Sequence, residues 1–531
     1  MRYLQSLARK DSSRQTLEKN ISIWDIPEGD SQLSAALATN EQTLRALFAH
    51  SSDLVFRPFD GFQQVPMLLV FVDGLIDSKR IEEAILPHLV SQLHPNADAK
   101  SGTQTDADFP VFPASEVTPV HTVGQLVRGI LKSQVAVLSE GKQIASLVNM
   151  AGFSVRQIQE PSGETVVRGP REGFVETLRT NTSMLRRRLK TYRLKMESLT
   201  IGEGSQTDVT IAYVEGVANE SVLHELRLRL QNIHLDAVPD SLSIEECMED
   251  NSFSPFPQIQ NTERPDVAAM ALLEGRVCLL ADGSPQALIV PFTLWYGLQT
   301  AQDYYERWIF ITAVRVLRFG LLIVSITLVP LYVAIVTFHP QLLPFNLILS
   351  IAAARDPSPF PTLVEAFLME LMFESLREAG VRLPQNIGAA VSIVGGIVIG
   401  QAAIDAGFLT APLVIVVATA GIASFSIPQY NLGFSFRILR FAMLFAAGSM
   451  GLYGLTVGLF ATLIHLIHLR SFGVPYLSPV APNSGFADLR DIILRAPRWM
   501  LARSRGYLAN DTSSPPQSTT AHLRRRARSH P

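Results

Sequence analysis

Three glutamates stand at helical spacing in a largely apolar stretch of this 531-residue chain. Glu370, Glu374 and Glu378 are four residues apart, so a helix would place them in one stripe. A charged side chain at the centre of a bilayer costs about 2.5–3.5 kcal/mol on insertion scales. The stripe must therefore face water, a partner, or an arginine such as Arg377 or Arg382. Two interpretations stay open: Glu370 and Glu374 lie at a pore or helix interface, or the helix lies flat at the membrane surface.

Small and polar side chains repeat every four residues further along the chain. Ser392, Gly396 and Gly400 share one face of a predicted helix, and Gln401 and Asp405 continue near that face. Small residues on one face let two helices pack closely. They can also leave room at an axis where several copies of the helix converge. We predict that this face lines a pore or a helix interface in either case.

Two arginines flank a Gly-Pro break in the more polar half of the chain. Arg168 and Arg171 stand on either side of Gly169-Pro170, and Glu160 lies shortly before them. A solvated turn and a site for an anion or an acidic partner both explain this charge. Guanidinium groups hold carboxylates and carbonyls in fixed geometry. We therefore predict that Glu160, Arg168 and Arg171 form a subdomain or subunit contact and not a catalytic site.

Motifs of enzyme chemistry are missing from the sequence. It has no phosphate-binding loop, zinc motif, kinase signature or nucleophile elbow. Two cysteines, Cys247 and Cys278, are too few for a disulfide framework or a zinc site. The net charge of −3 provides no basic field for nucleic acid. We expect no enzyme activity, no cofactor, no metal site and no nucleic-acid partner.

The segment 319–338 has 20 residues without a charge, which is long enough to cross the hydrocarbon core of a bilayer. The apolar stretch 342–354 is short and typical of a re-entrant or interfacial piece. We expect about five transmembrane helices in a membrane domain over 319–470. Three further apolar stretches have the length of a span: 387–404, 408–428 and 441–465.

Positive charge beside a span marks the inner side of a membrane, and here it gives a conflict. Arg315 and Arg318 place the start of the first span inside. Arg437 and Arg440 place the loop before the last stretch inside. The segment 481–531, with nine arginines and three aspartates, points to the same side. A single span over 441–465 cannot leave both the loop before it and the segment 481–531 on the inner side, unless part of 465–475 re-enters the membrane.

The chain before the first span has the alternating helix and strand patterns of an α/β protein. We predict two subdomains, over 1–150 and 151–298, as a cytosolic head, because the N-terminus carries no apolar signal sequence. Two related hairpins, turning at Glu140-Gly141 and Asp282-Gly283, close the two subdomains, although a generic hairpin pattern also explains them. An amphipathic juxtamembrane helix is predicted over 299–318, and a basic, largely disordered tail over 471–531.

Five long motifs follow one another along the chain: EPSGETVVRGPREGF at 160–174, RPDVAAMALLEGRV at 264–277, PFPTLVEAFLMELMFESLREAGVRLP at 359–384, IVGGIVIGQAAIDAG at 393–407 and RSFGVPYLSPVAP at 470–482. Together they resemble one known family, the A subunits of spore germinant receptors, or GerA family. The resemblance runs from about residue 40 to 482, and the long basic tail departs from it.

The resemblance implies a receptor subunit of the spore inner membrane, with a two-part cytosolic α/β head and a multi-span helical membrane domain. It also implies a transporter-like B subunit and a lipoprotein C subunit as partners, and homo-oligomers that act as a nutrient-gated ion channel. Four alternatives remain: an amplifying paralogue of the family, a secondary transporter, a membrane enzyme, and a sensor with a purely structural anchor. The transporter is disfavoured because two matching halves with broken helices are missing.

Overall fold

The computed structural model describes residues 24–26, 29–61, 64–76, 81, 117–152, 161, 163–382, 400–481 and 491–497. Two α/β subdomains form the N-terminal part, and helices make up most of the C-terminal part. The predicted fold class, a two-subdomain α/β head followed by a helical membrane domain, is confirmed.

The first subdomain is a five-stranded antiparallel sheet with strand order β1-β2-β4-β5-β3. Two helices, α1 and α2, pack on it, and apolar residues of both helices and of the central strands fill one core. The elements are β1 Leu54–Asp60, β2 Pro66–Val72, β3 Val117–Val120, β4 Gln134–Ser139, β5 Ala145–Asn149, α1 Leu37–Leu47 and α2 Val123–Leu131.

The second subdomain repeats this arrangement, with strand order β6-β7-β9-β10-β8. Neighbouring residues of one strand enter different cores, since side chains alternate across a strand: Ile211 packs in one core and Ala212 in the other. The elements are β6 Leu194–Ile201, β7 Thr207–Val214, β8 Gln260–Thr262, β9 Val277–Ala281, β10 Ala287–Val290, α3 Leu178–Arg188, α4 Glu220–Gln231, α5 Ser241–Met248, α6 Pro265–Leu273 and the short α7 Leu294–Gly297.

The two predicted hairpins, β4-β5 and β9-β10, occupy the same place in their sheets. Each turn also holds the first helix of its subdomain through an acidic side chain. The Leu37 amide donates to Glu140 at 2.8 Å, and the Leu178 amide donates to Asp282 at 2.9 Å. The relationship between the hairpins therefore extends beyond a generic turn pattern.

The two sheets meet at their edge strands, β1 and β6. The Ser52 amide donates to the Met196 carbonyl at 2.9 Å, and the Met196 amide donates to the His50 carbonyl at 3.0 Å. Arg186 binds Asp53 with two hydrogen bonds of 2.9 and 2.8 Å. Both side chains are buried, with 1% and 3% exposed, so this ion pair joins the subdomains away from water.

Two helices among the described residues are long and apolar enough to cross a membrane, Trp308–Phe338 and Tyr430–His468. The prediction of a separate amphipathic helix over 299–318 is wrong, because the structure has a short turn and the start of a longer helix there. Ala301–Tyr304 is a single 3-10 turn with a Thr300–Asp303 capping box, and the long helix begins at Trp308. The helices are α8 Trp308–Phe338, α9 Phe345–Arg355, α10 Thr362–Arg382, α11 Gly400–Asp405, α12 Ala411–Ser424 and α13 Tyr430–His468.

A break at Gly451 turns α13 into a helical hairpin. Gly451 has φ 66° and ψ −142°, values outside the helical region. An added Cβ on Gly454 would lie 1.9 Å from the Ala446 carbonyl oxygen, and one on Gly458 would lie 2.5 Å from Met443. The residues after the break therefore run back along those before it.

Both ends of this hairpin lie at the head. The Phe256 ring, which belongs to the head, lies 5.5 Å from the Phe436 ring and 5.9 Å from the His465 ring. The prediction of one span over 441–465 is therefore wrong. The break also removes the charge conflict, because Arg437 and the residues after His468 emerge at the same end.

The helix α10 runs antiparallel to the first half of α13. Leu363 packs against Gly448, near the hairpin turn, and Glu370 pairs with Arg440 one third of the helix further on. The helix α12 joins them, since Phe373 covers Gly421. The predicted span over 387–404 lies mostly outside the described residues, which include only Gly400–Asp405 of it.

The residues after α13 return to the head and form the short strands β11 Arg470–Ser471 and β12 Val474–Pro475. The Phe292 amide donates to Ser471 at 2.9 Å, and the Leu294 amide donates to the Tyr476 carbonyl at 3.0 Å. The prediction of disorder from residue 471 onward is therefore wrong for 471–481 and for 491–497. Apolar side chains such as Tyr476 are buried there.

Candidate functional site

An ion pair between Glu370 of α10 and Arg440 of α13 lies at the centre of the helical domain. The carboxylate and guanidinium approach to 2.7 Å, and the two side chains are 1% and 2% exposed. At the α-helical rise, Glu370 lies about 12 Å from the start of α10, and Arg440 about 16 Å from the break at Gly451. The pair is therefore far from both ends of the helices.

A second set of charges lies one turn closer to the head. Glu374 contacts Arg437 at 2.5 Å and Arg377 at 3.6 Å. Arg377 also donates to Ser424 of α12 at 2.9 Å, and its guanidinium lies 4.7 Å from the centre of the Phe425 ring. We name this group, with Glu370 and Arg440, the ion-pair ladder; it links three helices.

Glu365 is a further buried carboxylate on α10, one turn nearer the hairpin turn. It accepts a hydrogen bond from Thr410 at 3.2 Å, at the start of α12, and another from Ser358. Glu378, the last member of the predicted stripe, is exposed. The structure thus places Glu370 and Glu374 at a helix interface, with arginines as their partners.

The other predicted pore residues are described only in part. Ser392 and Gly396 lie outside the described residues. Gln401 donates to Asp405 at 2.8 Å, and an added Cβ on Gly400 would have no described atom within 4 Å. Close glycine contacts between helices occur instead at Gly421 and Gly448.

The predicted contact around Arg168 lies where the head meets α8. Arg168 is 71% exposed and its guanidinium is 4.0 Å from the Glu306 carboxylate, which is a weak contact. Tyr305 packs against Gly169, where an added Cβ would lie 2.7 Å from its ring. Arg171 lies in the same segment, and Glu160 lies outside the described residues.

Arg264 holds this segment in place, although no charge pattern in the sequence singles it out. Its buried guanidinium donates to the carbonyls of Glu164 at 3.1 Å and Pro170 at 3.0 Å, and to Asp266 at 2.8 Å. Burial raises the pKa of the Glu164 carboxyl to about 7, although a hydrogen bond from Thr262 and the charge of Arg264 lower it. The only sequence signal was the position of Arg264 before a proline that opens a helix.

A buried charge network joins the head, α8 and the C-terminal segment. Arg315 contacts Asp303 at 3.0 Å and Asp491 at 3.0 Å, and Arg318 contacts Asp303 at 3.0 Å. Burial alone would raise the pKa of Asp303, but the hydrogen bonds and charge of Arg318, together with Arg315, hold it below its ordinary value. The tyrosine hydroxyl of Tyr304 donates to Asp491 at 2.7 Å.

A cavity of about 630 Å³ opens between the two subdomains. Three cationic side chains line it, those of Arg128, Arg188 and Lys190, together with the aromatic rings of Trp24 and Tyr192. Within the described part of the chain, no group of three or more His, Cys, Asp or Glu residues could hold a metal ion. The Arg188 guanidinium is paired with the Glu172 carboxylate at 2.8 Å, so Arg128 and Lys190 provide most of the positive charge at the cavity, which has the volume to admit a small solute.

An α/β head is joined to a helical domain that contains the long apolar helix α8, the apolar hairpin α13 and buried ion pairs, which is typical of a membrane protein with a large α/β domain. A family model described as Bacillus/Clostridium GerA spore germination protein matches residues 42–506. The chain therefore belongs to the GerA family of spore germination proteins, as its motifs indicated.

Several relatives match most of the chain. The "Uncharacterized membrane protein YfkQ" of Bacillus subtilis (strain 168) is 41% identical, over 90% of this chain and 92% of its own. "Spore germination protein KA" of the same organism is 39% identical, over 88% and 86%. "Spore germination protein A1", also from Bacillus subtilis, is 43% identical, over 72% and 79%.

One solved structure is also similar, the "N-terminal domain of the A subunit of the Bacillus megaterium spore germinant receptor GerK3". It is 29% identical, covers 49% of this chain and 96% of its own, and has a TM-score of 0.37.

Proposed function

We propose that the chain is the A subunit of a spore germinant receptor and forms part of an oligomeric, nutrient-gated ion channel. The observation that carries the proposal is the family match over residues 42–506, which includes the head, the helices and the C-terminal segment. Spore germination proteins KA, A1 and B1 share 39%, 43% and 37% identity with the chain.

The path of the helices supports a multi-pass membrane protein with its head on the cytosolic side, and the family resemblance implies that the membrane is the spore inner membrane. The helix α8 starts at the head and ends beside Gly451, since an added Cβ there would lie 3.0 Å from Phe338. The hairpin α13 returns to the head. Head, hairpin ends and residues 470–481 thus lie on one side, which the arginines near them mark as the inner side.

The cavity between the subdomains supports a role in nutrient sensing. Arg128 and Lys190 in its lining would bind a carboxylate or another anionic group of a small solute by charge-assisted hydrogen bonds. The subunit acts by binding and conformational change, without catalysis or a cofactor.

The ion-pair ladder supports a gating movement in which α10, α12 and α13 move together, because the ion pairs hold these helices to one another. Charges buried in a membrane mark functional paths and relays, and here each carboxylate has an arginine partner. A transporter-like B subunit and a lipoprotein C subunit complete the receptor, as the family resemblance implies. Several copies of the chain surround the ion path, and the predicted face with Ser392, Gly396 and Gly400 is the candidate for the pore lining or for a helix interface beside it.

Deletion of the gene in the spore-forming host tests the receptor assignment. The mutant spores should lose their response to one nutrient or one class of nutrients, and should regain it with the wild-type gene. They should germinate normally with other nutrients. An equal slowing of germination with every nutrient would contradict the assignment and would favour an amplifying paralogue.

A further inference from the structure

Exposed apolar side chains cluster where α8 begins. Trp308, Ile309 and Phe310, in its first turn, are exposed, and so are Ile493 and Leu494 of the C-terminal segment. Ile493 and Leu494 are 43% and 56% exposed although the residues beside them, Ile492 and Arg495, are buried. Ile493 and Leu494 are therefore exposed because their side chains point away from the protein, while the neighbouring residues pack against it.

The C-terminal segment, residues 491–497, is fixed against the start of α8 by polar contacts. Arg495 donates to the Tyr304 carbonyl at 3.3 Å and also to the Glu306 carbonyl. Thr312 donates to the Arg495 carbonyl at 3.4 Å. Asp491 holds the beginning of the segment through Arg315. Ile493 and Leu494 thus project from a docked segment, close to the first turn of α8.

The level of this cluster in the membrane follows from the length of α8. Its 31 residues extend over about 46 Å, whereas the hydrocarbon core is about 30 Å thick. With both headgroup layers a bilayer is about 40–45 Å thick, so α8 extends from one headgroup layer to the other. Residues 308–312 therefore lie at the headgroup level, where tryptophan is enriched.

We propose that Ile493 and Leu494 insert into the headgroup region of the bilayer beside Trp308 and Phe310. The C-terminal segment is then a membrane-surface anchor, and its partner is the lipid of the leaflet that faces the head. The apolar side chains enter the lipid while Arg495 and Asp491 face the protein. The lipid and the head thus hold the start of α8 from opposite sides.

Fluorescence quenching by labelled lipid tests the anchor in the full-length protein. The background variant is Cys247→Ser. Cys278 remains because it is buried, and burial raises the pKa of its thiol to about 12, so dye does not react with it. Single variants Ile493→Cys and Leu494→Cys are labelled with bimane and placed in phosphatidylcholine vesicles whose headgroups carry nitroxide.

Two further sites calibrate the measurement. Phe310→Cys marks the headgroup level, and Glu203→Cys marks water, because the turn after β6 lies at the opposite end of its sheet from Phe292. We expect the probes at 493 and 494 to lose most of their fluorescence, as the probe at 310 does. Nitroxide near the end of the acyl chain should quench them less. Probes at 493 and 494 that stay as bright as the one at 203, with 310 quenched, would overturn the proposal. The two positions are exposed and are tested independently, so a folding defect in one leaves the other.

Discussion

The Arg440 guanidinium lies 2.7 Å from the Glu370 carboxylate, between two helices and away from water. Each charge is buried only because the other is present, since an unpaired charge at this depth is costly. The pair therefore determines how α10 and α13 sit together. If α10 and α13 move apart, each of the two charges must find a new partner or become hydrated.

The first prediction concerns the energy of this pair. Glu370→Gln or Arg440→Gln leaves one buried charge alone, and we expect each to destabilise the protein by about 3–5 kcal/mol. The double variant should be less destabilised than either single one, because no unpaired charge remains. Thermal unfolding of the purified protein in detergent, followed by circular dichroism, measures this.

Glu378→Gln is the matched control, on the same helix at an exposed position. It should leave the melting temperature almost unchanged. Additive effects of Glu370→Gln and Arg440→Gln on the melting temperature would show that the two residues do not interact in the folded protein.

The second prediction concerns the break in α13. Gly451→Ala adds a Cβ 2.9 Å from the His339 ring at a backbone conformation with φ 66° that favours glycine. We expect a lower yield of folded protein and a lower melting temperature. Gly433→Ala, in the same helix with 3.9 Å to its nearest contact, should be tolerated. A Gly451→Ala protein as stable as the Gly433→Ala protein would argue against the hairpin.

The hairpin in α13 shows where sequence reasoning reached its limit. Hydropathy does not distinguish one straight span from two antiparallel halves, because both are apolar throughout. The arginines at 437 and 440 and the basic residues after 481 did carry the signal, as a conflict in sidedness. The break itself depends on the backbone of a single glycine among many in the helical domain.

The head was predictable in its class and in its hairpins but not in its ion pairs. Alternating apolar residues and the two turns at Glu140 and Asp282 indicated the strands. Asn40 lies inside α1, where its side-chain amide exchanges two hydrogen bonds with the Ser34 backbone. Local sequence indicates that a residue such as Arg186 is charged, and only the assembled fold brings Asp53 to it from 133 residues away.

The third prediction is a pH dependence caused by Glu245 in α5. Burial and the charges of Glu249, Glu246 and Asp240 raise the pKa of its carboxyl from 4.5 to about 8. The folded state therefore holds a proton that the unfolded state releases between these values, so stability falls as pH rises from about 5 to 8. Glu245→Gln should remove this loss and raise the melting temperature at pH 8, but have little effect at pH 5.

Melting temperatures of both proteins across this pH range give the comparison. Glu246→Gln is the control, since Glu246 is exposed on the same helix, and it should keep most of the pH dependence. An unchanged pH profile in Glu245→Gln would show that the carboxyl does not titrate in this window.

The fourth prediction concerns the contact between the subdomains. Asp53→Ala leaves the Arg186 guanidinium buried without its carboxylate, and should cost about 3–5 kcal/mol. Asp73→Ala removes a partly exposed pair with Arg179 at 3.2 Å, and should cost at most about 1 kcal/mol. Limited proteolysis of the head should be faster in the Asp53 variant alone. Equal proteolysis rates in the two variants would show that the buried pair does not hold the subdomains together.

Ion flux through liposomes tests the central claim most directly. The purified chain is reconstituted with the B and C partners encoded in the same host, and a cation-sensitive dye inside the vesicles reports flux. We predict flux that starts on addition of the nutrient to which the deletion mutant no longer responds, and a changed basal flux in the Glu370→Gln variant. The absence of flux from correctly inserted protein, or flux coupled to uptake of the nutrient itself, would contradict a nutrient-gated channel.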